Sequence, residues 1–217
     1  MKSFVAYPME LDKILYPDAF EKSYSGKLLA HHELYKKVAY LDGSIVKCGI
    51  SAEAGFLRFA SFRNLIAAQS SQKVIAFEKF TTSMYFDNEE NNAGSLRVKV
   101  KSEPIDEELL QKKLTRKGIH NKIDFIPGNL GDSIPEYLME NPEMKISYLN
   151  IDLDDYEASL TTLQFFYPRI VHGGIVIFDN YYKNEEDYRA VIDYFKYNNV
   201  FINNFSINKG PHYLIRN

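Results

Sequence analysis

The 217-residue chain has no tryptophan and only one cysteine, Cys48. A lone cysteine excludes an intramolecular disulfide and fits a reducing compartment. No run of about 18 apolar residues occurs, so no segment reads as a membrane-spanning helix. The first apolar residues, Phe4 to Ala6, meet Glu10, Asp12 and Lys13 too soon to form a signal-peptide core. Charge is nearly balanced, with 26 Lys and Arg against 29 Asp and Glu, and no basic block stands out. The electrostatic footprint of a nucleic-acid binder is therefore missing. These absences predict a cytoplasmic protein without nucleic-acid or membrane partners. The remainder is ordinary for a globular chain, at 45 % hydrophobic and 25 % charged residues.

The strongest pattern is Ile151-Asp152-Leu153-Asp154-Asp155-Tyr156-Glu157, followed by Val176-Ile177-Phe178-Asp179-Asn180. Two apolar runs each end in acids, and both read as buried strands. Between them Leu160, Leu163, Phe166 and Tyr167 recur at helical spacing. A β-α-β unit makes its strands parallel and brings both acidic tips to one sheet edge. Adjacent strands lie about 4.8 Å apart, so Asp152 and Asp179 are expected to converge on one hard cation. Oxygen ligands without His or Cys point to Mg²⁺. Ligands of open parallel sheets bind at this carboxyl edge.

Along the chain, residues 1–25 are rich in Tyr and Pro and read as an irregular arm. Leu28, Leu29, Leu34, Tyr35, Val38 and Ala39 predict an amphipathic helix over 26–41. Strands are expected at 44–48, 74–77, 122–126, 146–151 and 175–178, with helices at 55–68, 106–117, 132–139 and 185–197. Residues 81–102 are polar and read as a mobile loop or lid. A terminal pair of strands, 201–207 and 212–215, is joined through Lys209-Gly210-Pro211, so the last strand enters antiparallel. The fold expected is α/β: a mostly parallel seven-stranded sheet with one antiparallel strand and helices on both faces, the Rossmann-like architecture of class I methyltransferases. Residues 1–42 form an arm and helix on the acceptor or lid side; residues 43–217 form the Rossmann-like domain.

Here the sequence resembles the S-adenosylmethionine-dependent sugar O-methyltransferases typified by macrocin O-methyltransferase. The resemblance rests on Asp152-x-Asp154-x-Tyr156-Glu157, Leu163, Tyr167-Pro168, Gly173-Gly174 and Asp179-x-Tyr181, and more weakly on Val46-Lys47-Cys48-Gly49-Ile50. It implies S-adenosylmethionine and Mg²⁺ as cofactors and a sugar as acceptor. It also implies that Asp152, Asp179 and Asn180 hold the ion. Relatives carry an Asp at the position of Asn180, an acid where this chain has Lys47, and a Gly-Gly pair where it has Glu53-Ala54. Expected cofactor contacts are Gly49, Glu78 on the ribose, Asn129, Asp132 and Ser133 beside the adenine, and Asp152. A base is sought among Asp155, Asp154, His32 and His31.

Each of these has a blander reading. The acids fit a solvated loop, Glu78 a surface residue, and His31 and His32 simple packing. His172 is expected in a loop at the opposite edge, and a strand-tip acid such as Asp179 to add little to the core. A catechol-like phenol acceptor, favoured by Asn180, and a non-catalytic binding protein, favoured by Lys47, Glu53 and Ala54, stand as alternatives. A homo-oligomer is left open.

Overall fold

The computed structural model describes residues 22–49, 52–78, 122–182, 185–198, 200–205 and 211–217, with parts of 112–119. Of the irregular arm expected over 1–25, residues 22–25 are instead the start of a helix, and the rest lies outside the described residues, as do the lid over 81–102, most of the helix over 106–117 and the turn at Lys209-Gly210. In chain order the elements are α1 (Lys22–Val38), β1 (Ser44–Gly49), α2 (Ala52–Ile66), β2 (Val74–Glu78), β3 (Ile123–Pro127) and α3 (Leu130–Glu140). Then follow β4 (Ile146–Asp152), α4 (Tyr156–Phe166), a 3₁₀ turn (Tyr167–Arg169), β5 (Ile170–Phe178), α5 (Glu185–Phe195), β6 (Asn203–Asn204) and β7 (His212–Ile215).

The seven strands form one sheet in the order β3-β2-β1-β4-β5-β7-β6. Pairs from β3 to β5 are parallel, and β7 runs antiparallel to both its neighbours. One reversed strand in a parallel sheet is what the sequence predicts. β1, β2 and β4 are buried almost throughout, as apolar runs covered on both faces must be. Two strands differ from expectation. β6 is only two residues long, a short edge of the kind that resists pairing with other chains. β5 begins at Ile170, so His172 is an exposed strand residue rather than part of a loop, though still at the end opposite the acids. Gly173 and Gly174 permit this. Gly173 has φ +78°, and a Cβ on Gly174 would lie 2.7 Å from Ile170 Cγ2.

Strand alternation divides the core into two clusters, one on each face. Val46, Ile75, Leu149, Val176 and Phe178 pack under α3, α4 and α5. Ile45, Val74, Ala76, Tyr148, Ile175 and Ile177 pack under α1 and α2. Register then assigns the strand tips. Lys47 pairs with Asn150 and Gly49 with Asp152, while Asn150 pairs with Ile177. Lys47, Asn150 and Asp152 therefore share the α1/α2 face with Ile177 and, two residues on, Asp179.

Helix α1 runs along that face against the strand direction. Gln72, at the sheet's opposite end, donates to the carbonyls of Val38 and Leu41 and to Ser147 Oγ, each at 3.0 Å, and so pins the helix C-terminus. The buried stripe of α1 is Ala30, His31, Leu34, Tyr35 and Val38. Leu29, expected to belong to it, is 49 % exposed. The stripe instead continues towards the strand tips through His31 and the half-buried Lys27, residues four apart on one face.

Candidate active site

The site forms where β1, β4 and β5 end beneath the first turns of α1. Its glycine is obligatory. Gly49 has φ +117°, and a Cβ there would lie 1.9 Å from the carbonyl oxygen of Asp152. Only glycine lets the β1 tip lie this close to β4.

Asp179, just beyond β5, is buried to 5 % exposure. His31 Nε2 lies 2.8 Å from its Oδ1, and Lys27 Nζ lies 2.9 Å from its Oδ2. Asn150 Nδ2 also donates to Oδ2, at 3.1 Å. Burial opposes the carboxylate here, but His31, Lys27 and Lys47 outweigh it and hold the group well below the usual range. Arg58 NH1 sits 3.0 Å from His31 Nδ1. A guanidinium only donates, so Nδ1 accepts and Nε2 carries the proton given to Asp179. Burial lowers the His31 pKa against the pull of Asp179, with Arg58 adding to the lowering. His31 is thus a neutral imidazole of fixed tautomer.

Asp152 is the more open acid. Lys27 Nζ reaches its Oδ2 at 3.3 Å and Lys47 Nζ the same oxygen at 3.2 Å. Its Oδ1 accepts from Asn180 Nδ2 at 3.0 Å. Burial disfavours the Lys27 cation, yet Asp179 and Asp152 raise its pKa above the ordinary value. Lys47 is 2 % exposed, and its stem occupies the space left by a glycine: a Cβ on Gly55 would lie 2.6 Å from Lys47 Cε. The lysine in place of the expected acid is thus built into the packing of β1 on α2.

The remaining predicted residues separate clearly. Asp152, Asp179 and Asn180 are brought together. Asp154 is exposed in the next turn. Asp155 is the N-cap of α4, its carboxylate accepting from the Ala158 amide at 2.8 Å, which gives it a structural task. His32 does not join the acids either. It turns off the buried stripe of α1, where Nδ1 contacts Glu33 Oε1 at 3.2 Å and the ring meets Phe62 edge-on. Its neighbour His31 sits at the site. Glu78 ends β2, half-buried, at the same sheet edge. Asn129 caps α3 by accepting from Gly131 at 3.1 Å, Asp132 is exposed in that helix's first turn, and Ser133 is buried beneath it. All three follow the β3 tip.

Lys27, Arg58 and Asn150 were not foreseen. The signal for Lys27 was present in the spacing 27-31-34-35-38, had the stripe been traced through polar residues. Arg58 and Asn150 depend on register and on the approach of helix to sheet, which no local pattern encodes.

A parallel sheet with one reversed strand, a glycine at the first strand tip and acids at the second, fourth and fifth defines a class I methyltransferase. A family model described as macrocin O-methyltransferase (TylF) matches residues 32–210, and the chain belongs to that family of O-methyltransferases. Solved structures share the fold. CalS11, a TDP-rhamnose 3'-O-methyltransferase of calicheamicin biosynthesis, is 19 % identical in its apo form, with a TM-score of 0.72 over 96 % of this chain and 87 % of that one. The O-methyltransferase NovP is 17 % identical, with a TM-score of 0.67 over 88 % and 79 %. MycE of the mycinamycin pathway, solved with Mg and SAH, is 9 % identical, with a TM-score of 0.53 over 95 % and 53 %. No curated protein matches the chain. Among the described residues no helix is long and apolar enough to cross a membrane.

A divalent ion, expected at Asp152, Asp179 and Asn180, does not fit these residues as they are arranged. Among the described residues no cluster of three or more His, Cys, Asp and Glu side chains forms an ion site. The two carboxylates already face two ammonium groups, Lys27 and Lys47. Asn180 turns its amide nitrogen, not its oxygen, towards Asp152 and the Leu153 carbonyl.

Proposed function

We propose that the protein is an S-adenosylmethionine-dependent O-methyltransferase acting on a sugar hydroxyl, carried by a nucleotide or by a glycosylated metabolite. The observation that carries this reading is the gathering of Gly49, Glu78, Asp152 and Asp179 at one sheet edge, in a chain of the macrocin O-methyltransferase family. The cofactor is assigned to the β1–β3 side of that edge. Gly49 lets the backbone approach its methionine end, Glu78 accepts from the ribose hydroxyls, and Asn129, Asp132 and Ser133 border the adenine. The acceptor is assigned to the β4–β5 side, beside Asp152 and Asp179, where α1 brings Lys27 and His31. SAH in the MycE complex supports the cofactor, and the sugar named for CalS11 supports the acceptor class.

The chemistry asked of the chain is positioning. The acceptor oxygen must lie in line with the sulfonium methyl, and holding both substrates in that geometry supplies much of the rate. The hydroxyl proton must also leave. Asp154 is the base we assign, because it is exposed at the site's rim while Asp155 is committed to its cap. A cytoplasmic setting, where cofactor and nucleotide sugars are available, completes the reading.

Two measurements test it. Calorimetry with S-adenosylmethionine should show one site per chain. Incubation with labelled cofactor and a panel of nucleoside-diphosphate sugars and catechols should put label on a sugar. Absence of cofactor binding defeats the reading, and label on catechols alone moves the acceptor to phenols.

A further inference from the structure

We propose that Lys27 takes the place of a divalent ion at this site: its ammonium, carried on α1, is the cation that meets the acceptor oxygen, and methyl transfer proceeds without a metal. The inference gives a catalytic meaning to Lys27 only if the methyltransferase reading holds; its structural content stands separately.

Position comes first. One nitrogen, Lys27 Nζ, lies 2.9 Å from an Asp179 oxygen and 3.3 Å from an Asp152 oxygen. An ion bridging the tips of β4 and β5 would occupy that seat. The lysine side chain keeps 24 % exposure, against 1 % for the Asp179 carboxylate beside it.

Lone pairs give the same answer. Asp179 Oδ1 is met by His31, and its Oδ2 by Lys27 and Asn150. Asp152 Oδ1 is met by Asn180, and its Oδ2 by Lys27 and Lys47. All four carboxylate oxygens therefore face N–H donors. Asn180 cannot simply flip to become a ligand. Its Nδ2 lies 3.0 Å from Asp152 Oδ1 and 3.3 Å from the Leu153 carbonyl, and reversal would set an oxygen against two oxygens.

Charge completes the case. Two carboxylates are balanced by two ammoniums, with the Arg58 guanidinium one residue further back on His31. A dication added here would leave two positive charges uncompensated in a partly buried site. Asp154 is exposed, and the Asp155 carboxylate accepts from the Ala158 amide at the cap of α4. Both lysines are fixed by the fold: Lys27 by the buried stripe of α1, Lys47 by the gap at Gly55.

In the reaction an acceptor oxygen lone pair forms the O–CH₃ bond. The C–S bond breaks, and its electron pair stays on sulfur, turning the sulfonium into a neutral thioether. The hydroxyl proton leaves through the Asp154 carboxylate to solvent. Lys27 remains protonated throughout and stabilises the charge that grows on the acceptor oxygen.

The test is a Mn²⁺ titration of the full chain at pH 7, followed by electron paramagnetic resonance, with and without S-adenosylhomocysteine. Neither acceptor nor turnover is needed, so its outcome is separate from that of the proposed function. Lys27→Met keeps the stem and removes the charge. It should gain one Mn²⁺ site at least about tenfold tighter than any in the wild type, and Asp179→Asn added to it should remove that site. A wild-type Mn²⁺ site that Asp179→Asn abolishes overturns the proposal. A folded Lys27→Met that gains no site overturns it equally, since the ammonium is then not what excludes the ion. Circular dichroism checks folding, and Lys27→Gln, read the same way, serves if the methionine variant is unfolded.

Discussion

Lys47 and Gly55 are spatial complements: the Cβ that glycine lacks would lie 2.6 Å from Lys47 Cε. Gly55 lies inside α2, where alanine is intrinsically better by about 1 kcal/mol. Overpacking a core position costs about 1–3 kcal/mol, and Lys47 cannot swing away without leaving Asp152 and the Cys48 carbonyl. Gly55→Ala is therefore expected to destabilise the wild type. In a Lys47→Ala background the same change should stabilise by about 0.5–1 kcal/mol. Urea melts of the four proteins measure the coupling. Additive effects would show that the two positions do not share this space.

Asp179→Ala tests how far a strand-tip acid can be structural. The sequence reading expects little effect on the fold, but the structure buries this carboxylate and gives it three donors. Removing one partner of a buried ion pair costs about 3–5 kcal/mol, and a loss of that order is expected at pH 7. The folded pKa is depressed, so the contribution is complete above the ordinary carboxyl value of 3.8 and fades only as pH falls below it towards the folded pKa. Equal melting points for variant and wild type at pH 7 would show the network to be energetically idle.

The mostly parallel sheet with its one reversed strand, the β-α-β unit and the acid pair were legible because buried strands leave long apolar runs and helices leave a 3.6-residue period. The wiring between the acids was not. Lys27 and His31 act through the docking of α1 on the sheet, and that docking is fixed by Gln72, forty-one residues beyond His31 in sequence. His31 and His32 are adjacent, and only the helix's rotation decides which one meets Asp179. Asp155 carries a related ambiguity: an acid after a strand fits both a base and a helix cap, and the cap hydrogen bond is visible only in three dimensions. Lys47 was visible as an oddity, but its meaning required the register that pairs it with Asn150 and the gap at Gly55.

Asp187 predicts a pH dependence of opposite sign. It is 4 % exposed on α5, where its Oδ1 accepts from Ser159 Oγ at 2.5 Å. Burial, reinforced by Asp152, Asp154 and Asp155, pushes its pKa up to about 6 despite the serine. A carboxyl with a raised folded pKa favours the folded state in its neutral form. Its contribution is therefore lost as pH rises from 3.8 through about 6. The full shift corresponds to about 3 kcal/mol. Asp187→Asn should be more stable than wild type at pH 7.5 and gain little at pH 4. Thermal melts across that range decide it, and a constant difference would mean that Asp187 ionises normally in the fold.

Glu78 gives the sharpest test of how the cofactor lies. It ends β2, half-buried, two strands from Asp152 at the same edge. If it accepts from the ribose hydroxyls, Glu78→Gln retains its size but turns charge-assisted hydrogen bonds into neutral ones, losing about 1–2 kcal/mol. Affinity for S-adenosylhomocysteine should fall roughly tenfold or somewhat more. The apolar residues of β2 remain, so the melting point of the free protein should change little. Calorimetry on both proteins measures the ratio directly. An unchanged dissociation constant would place the ribose away from β2, and the cofactor would then have to enter the sheet edge in another orientation.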